Sequence, residues 1–176
     1  MRVISGKYKG KNIMGFNVLG TRPTMDRVKE SMFGMIQNNI KNSVCLDLFA
    51  GSGSLGIEAL SNGAKECYFV EKNSEIYNIL KDNLDGIDNS ILIKGDYLDA
   101  LKNFVGKVKF DIVFLDPPYK MNLISDILDF IFSNDLLNDN GLIVCEFEDE
   151  VLDISKYELY KSKKYGTKKV NVYRKF

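Results

Sequence analysis

The sequence predicts an α/β fold: a seven-stranded, mostly parallel sheet with helices on both faces, a C-terminal antiparallel hairpin and a small N-terminal β arm. Three observations predict it. Five short, continuously apolar runs alternate with segments of helical periodicity, the pattern of parallel strands covered on both faces. A glycine-rich turn follows the first of those runs, and two adjacent prolines follow the fourth. The chain of 176 residues, 45% apolar, is long enough for one domain to bury a core without staples.

The elements follow in chain order. Residues 2–14 alternate apolar and basic side chains around Gly6 and Gly10, which suits a hairpin or extended arm. Residues 1–20 are therefore assigned to a basic β arm and residues 21–176 to the core of a single domain. Thr24 is placed to cap a helix in which Met25, Val28, Met32 and Ile36 recur on one face. Strands are expected at Val44–Leu48, Cys67–Glu71, Ile91–Lys94, Asp111–Leu115 and Leu142–Phe147. The helices between them are expected at Ser54–Ser61, Ser74–Leu84, Tyr97–Phe104 and Asn122–Phe132. Tyr157–Lys164 and Lys169–Lys175, joined at Gly166 and Thr167, close the chain as an antiparallel pair.

Composition excludes several chemistries. Histidine is absent, which removes the usual general base and Ser-His nucleophile pairs; no metal site is expected. Cys45, Cys67 and Cys145 are odd in number, form no C-x-x-C pair and sit in apolar runs, so they read as buried strand residues in a reducing compartment. No apolar run approaches a membrane span and the N-terminus carries no signal-peptide core, so a soluble, cytoplasmic protein is expected.

The zero net charge conceals an asymmetry. Residues 1–43 hold 8 basic and 2 acidic residues, and residues 151–176 repeat that balance, leaving the middle at a net −12. Basic ends suit contact with a nucleic-acid backbone, because phosphate-bound cations are released on binding. They equally suit simple solubilisation of terminal strands.

Two motifs carry chemistry. Asp47-Leu-Phe-Ala-Gly-Ser-Gly53 runs from a strand into a helix, with Gly51, Gly53 and Gly56 spaced as G-x-G-x-x-G and Glu71 twenty residues after Gly51. A carboxylate at Asp47 opposes a pyrophosphate and favours a cationic ligand such as S-adenosylmethionine. Asp116-Pro-Pro-Tyr119 makes a rigid loop at a strand's carboxyl end, since adjacent prolines cannot extend a central strand. Asp116 and the Pro117 carbonyl can accept the hydrogens of an exocyclic amine, with Pro118 stiffening the loop and Tyr119 stacking on the base.

Together these motifs resemble the class I, Rossmann-like, S-adenosylmethionine-dependent methyltransferases that modify exocyclic amines. The arm Arg2-Val-Ile-Ser-Gly-Lys-Tyr-Lys-Gly10 and the segment Thr21-Arg-Pro-Thr-Met-Asp-Arg-Val-Lys-Glu-Ser-Met-Phe33 are more specific. They resemble the RsmD-type family, bacterial enzymes that methylate the N2 amine of a guanine in 16S ribosomal RNA. The resemblance implies that Asp47, Phe49, Ala50, Gly51 and Gly53 shape the methionine end of the cofactor site. It gives the ribose hydroxyls to Glu71 and the adenine to Asp96 and Tyr97, with Thr24 closing over the methionine portion. Asp116 to Tyr119 would hold the flipped base, and Lys7, Lys9, Lys11, Arg22 and Arg27 would contact phosphates. The implied partner is 16S rRNA, the small ribosomal subunit or an assembly intermediate, met by a monomer. Three other readings stay open: a nicotinamide-dependent oxidoreductase, a DNA adenine-N6 methyltransferase and a non-catalytic RNA-binding module of ribosome assembly.

Overall fold

The computed structural model describes residues 1–16, 23–118, 123–148, 152 and 154–175, with the side chains of residues 23–25 left aside. Its sheet has seven strands in the order β3-β2-β1-β4-β5-β7-β6. These are β1 (Val44–Asp47), β2 (Glu66–Glu71), β3 (Ser90–Lys94), β4 (Phe110–Leu115), β5 (Leu137–Phe147), β6 (Tyr157–Tyr165) and β7 (Lys168–Lys175). The first five pair in parallel, and β7 lies antiparallel between β5 and β6. The predicted class and the terminal hairpin are both observed.

Among the described residues five helices cover the two faces: α1 (Pro23–Ile40), α2 (Ser54–Ser61), α3 (Ser74–Asn83), α4 (Tyr97–Phe104) and α5 (Ile124–Ser133). Each face is set by strand alternation. Cys45, Phe69, Ile112, Phe114 and Val144 point to the side where α1, α2, α3 and the arm pack. Leu46, Val70, Val113, Leu115 and Cys145 point to the side of α4 and α5. Phe33 of α1 stacks on Phe114 of β4 with ring centroids 5.6 Å apart, so α1 lies directly over the central strand. All three cysteines are free and buried, and burial pushes the Cys45 thiol up to about 12, so it stays protonated.

Three details differ from expectation. Pro23 is the first residue of α1, where its missing N–H costs nothing, so Thr24 lies inside the helix and is not its cap. β5 begins five residues earlier than its apolar run, because a register shift between Phe110 and Ile112 lets Leu137 pair before Asn140 turns left-handed at φ 61°. α5 starts at Ile124 with Leu123 as its N-cap, and Asn122, where it is expected to begin, lies outside the described residues.

The arm is a hairpin that binds α2 along its length. Arg2 bridges Asn12, and Gly10 donates to the Val3 carbonyl at 2.9 Å. Its tip meets the end of α2, where Lys7 N–H donates to the Ser61 carbonyl at 2.8 Å. At Gly6 only glycine fits: φ is +84°, and a Cβ would stand 1.9 Å from the Ser61 oxygen.

Candidate active site

Open parallel sheets bind ligands beyond the carboxyl ends of their strands. Here those ends present acids on one face. Alternation puts Glu71 of β2 and Asp47 of β1 on the side of α1 and α2, and continuing it past β4 and along β5 brings Asp116 and Glu146 to the same side. Strand order then sets the sequence across the sheet: Glu71, Asp47, Asp116, Glu146.

The glycine turn is built between the first two acids. Gly51 and Gly53 take φ of +55° and +85°, which β-carbon-bearing residues rarely adopt. A Cβ on Gly53 would meet Leu80 at 2.6 Å, and one on Gly56 would meet the Phe69 ring at 2.3 Å. The glycines thus let α2 start close against β2 and α3. Glu71 Oε2 accepts the Gly51 N–H at 3.0 Å, and its Oε1 accepts the Asn73 N–H at 2.9 Å.

Asp47 is 2% exposed and its Oδ2 accepts the Gly56 N–H at 3.0 Å. Burial, with the Glu71 charge adding to it, pushes its carboxyl up to about 7 against the pull of that hydrogen bond. A carboxylate so placed is relieved by a cation, and that chemistry fits the ammonium and sulfonium of S-adenosylmethionine. Phe49 and Tyr97 approach at 5.3 Å between ring centroids, beside Asp96, which caps α4 by accepting the Leu98 N–H at 2.9 Å. Asp96 also receives the Lys72 ammonium at 3.3 Å. The N-cap role and a role toward adenine are compatible, because Oδ1 makes the cap and Oδ2 meets solvent-exposed Lys72.

Asp116 leaves β4 one residue beyond Leu115 and is exposed at the cleft. The surrounding protein walls, then the Glu146 charge, raise its pKa, and the Lys168 ammonium lowers it. Solvent at the exposed carboxyl tempers that rise. Pro117 is half-buried and Pro118 exposed. Tyr119 and Arg22, and the Thr24 side chain, lie outside the described residues.

The arm lysines stand elsewhere. Lys7 pairs with Asp88 at 2.9 Å and Lys11 donates to the Asp85 carbonyl at 2.9 Å, both ahead of the first residue of β3. Lys9 is exposed near the same tip, and Arg27 is exposed on α1. Since α2 is eight residues, about 12 Å, the tip lies at the end of the sheet away from the glycine turn. The turn between β6 and β7, carrying exposed Lys163, Lys164 and Lys169, lies instead beside the carboxyl end of β5, where Lys169 pairs with Phe147. A cavity of about 210 Å³ lined by Asn39, Ser43, Asp111 and Gly141 lies at the amino ends of the central strands and takes no part in this site.

Sequence reasoning missed four residues. Lys29 and Glu58 form a buried pair at 3.5 Å, with side chains 3% and 1% exposed. The Lys29 ammonium donates to the Arg2 carbonyl at 2.9 Å and Ser54 Oγ at 3.0 Å, while Glu58 accepts the Ile4 N–H at 2.8 Å. The pair therefore joins the arm, α1 and the helix that follows the glycine turn. Nothing local in the sequence marks it. Glu146 and Lys168, paired at 3.0 Å, were also missed. Glu146 did carry a signal: like Asp47, Glu71 and Asp116, it is an acid near the end of an apolar run.

Comparison with known proteins bears on this site. The family model described as "Conserved hypothetical protein 95" matches residues 1–174. The Haemophilus influenzae ribosomal RNA small subunit methyltransferase D is 38% identical over 99% of this chain and 93% of its own length. The Escherichia coli K12 protein of the same name is 33% identical over 85% of this chain and 76% of its own. Among solved structures, the Escherichia coli yhhF protein superposes with a TM-score of 0.87 at 31% identity, covering 99% of this chain and 97% of that one. A Salinibacter ruber RNA methyltransferase solved with S-adenosyl-L-homocysteine shares the fold at 15% identity, with a TM-score of 0.66 over 89% of this chain and 93% of its own.

Proposed function

The chain belongs to the family described as conserved hypothetical protein 95, that of the ribosomal RNA small subunit methyltransferases D, and on that premise we propose that it methylates the N2 amine of a guanine in 16S rRNA. The observation that carries the reading is the row of carboxylates across adjacent strand ends, Glu71, Asp47 and Asp116, with the glycine turn at its centre. That row accepts hydrogen bonds along its length and has the sign to hold a cation.

S-adenosylmethionine, when bound, supplies a methyl group already activated by its sulfonium. Glu71 holds the ribose hydroxyls, Asp47 and the Gly51–Gly53 turn hold the methionine end, and Asp96 and Tyr97 hold the adenine. Phe49 and Ala50 wall the site. Asp116 and the Pro117 carbonyl accept the two N2 hydrogens and turn the amine's lone pair, otherwise delocalised into the ring, out of the base plane. Positioning of this kind can supply about 7–11 kcal/mol of a barrier. The amine becomes acidic once it is alkylated, so Asp116 receives its proton on Oδ without a stronger base. The absence of histidine is consistent with this route.

The RNA is met by the basic ends, with the β6–β7 turn beside the reacting amine and the arm and Arg27 farther out. Arg22 and Tyr119 belong to the same proposal. The natural substrate is the small subunit or an assembly intermediate, the protein acts as a monomer in the cytoplasm, and the α1 segment at Thr24 closes over the cofactor. Among the described residues no helix is long and apolar enough to cross a membrane.

The test is methyl transfer from labelled S-adenosylmethionine to rRNA, small-subunit particles from an unmodified strain and duplex DNA, with the product nucleoside identified by mass. N2-methylguanosine in the rRNA is the expected product. N6-methyladenine in DNA, or cofactor binding without transfer to any substrate, overturns the reading. Asp116→Ala is expected to abolish turnover and leave S-adenosylhomocysteine binding intact.

A further inference from the structure

Glu146 and Lys168 are charged residues that the proposed chemistry leaves without a task. They form an ion pair of 3.0 Å whose side chains are 13% and 30% exposed. That is dry enough for hydrogen bonds to discriminate, and open enough to meet a ligand. Their placement follows from register. Phe114 pairs with Val144 and Val144 with Val172, all three side chains on the face of α1. Two residues onward, Asp116 and Glu146 leave β4 and β5 on that face. Glu146 pairs with Val170 of β7, and Lys168 lies two residues before it, on the same face again. Lys168 and Glu146 are both close enough to act on the Asp116 charge.

Across the sheet the order is therefore acceptor, acceptor, donor: Asp116, Glu146, Lys168. The pairing edge of guanine reads donor, donor, acceptor: N2–H, N1–H, O6. Resting on the reading that Asp116 takes the N2 amine, we propose that the Glu146–Lys168 pair recognises the rest of that edge and selects guanine. Glu146 accepts N1–H, and Lys168 donates to O6. An adenine-type edge presents an N1 lone pair to the Glu146 carboxylate and is repelled. Lys168 both compensates the Glu146 charge and completes the recognition, so neither residue does its task alone.

The experiment uses target RNA carrying guanine or 2-aminopurine at the methylated position. 2-Aminopurine keeps the N2 amine and lacks both N1–H and O6. Wild-type enzyme is expected to prefer guanine by about 100-fold or more, the scale on which sites built for hydrogen bonds reject analogues lacking them. Glu146→Gln and Lys168→Met are expected to cut that preference to about tenfold or less by slowing guanine, while S-adenosylhomocysteine affinity stays at the wild-type value. A preference unchanged in both variants overturns the pair's role and leaves the guanine reading standing. Absence of wild-type transfer to guanine overturns both.

Discussion

Glu71 accepts the Gly51 backbone N–H at 3.0 Å, so the acid at the end of β2 is tied to the turn that follows β1 before any ligand arrives. The carboxylate is thereby pre-oriented, with lone pairs left for two ribose hydroxyls. Charged hydrogen bonds are worth about 1.5–3 kcal/mol each. Glu71→Gln keeps one acceptor, for the Gly51 or the Asn73 N–H but not both, and loses the charge. Calorimetric titration with S-adenosylhomocysteine, run well below the variant's melting temperature, is expected to show at least about tenfold weaker binding. Equal affinity would remove Glu71 from the ribose.

This tie also separates what the sequence made legible from what it did not. The central parallel strands were legible because both of their faces are largely buried, so each carries an apolar run, and the half-buried edge strand β3 was legible from Ile91, Leu92 and Ile93. Asp47, Glu71 and Asp116 were legible because an acid ending such a run stands out. The docking of the arm was not. It depends on Lys29, Glu58 and Ser61, which lie 27 or more residues from their arm partners and carry no local mark. β5 was too short in prospect because Asn138, Asp139 and Asn140 look like a loop, yet Asn138 is held by Asp111 at 2.9 Å. Thr24 looked like a cap because Thr commonly is one, but Pro23 had already begun the helix.

Asp47 makes the ligand-free protein sensitive to pH in a defined direction. Its folded pKa is raised from 3.8 to about 7, so the stability tied to it is complete below about pH 4 and is lost as pH rises through 7. The full span is of order 4 kcal/mol by linkage. A bound cation favours the ionised form, so cofactor binding releases a proton below pH 7. S-adenosylhomocysteine affinity should therefore rise between pH 5.5 and 7 and level off above, while Asp47→Asn gives a flatter profile. Calorimetry in two buffers of different ionisation enthalpy would count the proton. A wild-type profile as flat as that of the variant would show that Asp47 does not face the cation.

Lys29→Met leaves Glu58 buried beside the Ile4 and Ser5 amides without its cation. Breaking a buried pair from one side costs about 3–5 kcal/mol. Urea denaturation should show stability lowered by that amount, seen as an earlier midpoint at an unchanged slope. The double variant Lys29→Met, Glu58→Leu should not recover it, because the arm amides then lose their acceptor. A midpoint within experimental error of wild type would mean that the pair does not fasten the arm.

The two basic ends should contribute unequally to RNA binding. Lys163, Lys164 and Lys169 are exposed around the β6–β7 turn, beside the carboxyl end of β5. Lys7 and Lys11 already face Asp88 and the Asp85 carbonyl, at the far end of α2. A lysine that pairs with a phosphate releases a counterion, contributing about 0.7–0.9 to the slope of log affinity against log salt. Replacing the three turn lysines with glutamine should lower that slope by about 2 or more. Replacing Lys7, Lys9 and Lys11 should weaken binding with a smaller change of slope, because Lys7 must first leave Asp88. Filter binding from 50 to 300 mM salt would separate the two. Equal losses would place the arm tip against the RNA backbone as firmly as the turn, and would require the substrate to reach along α2 to the opposite end of the sheet.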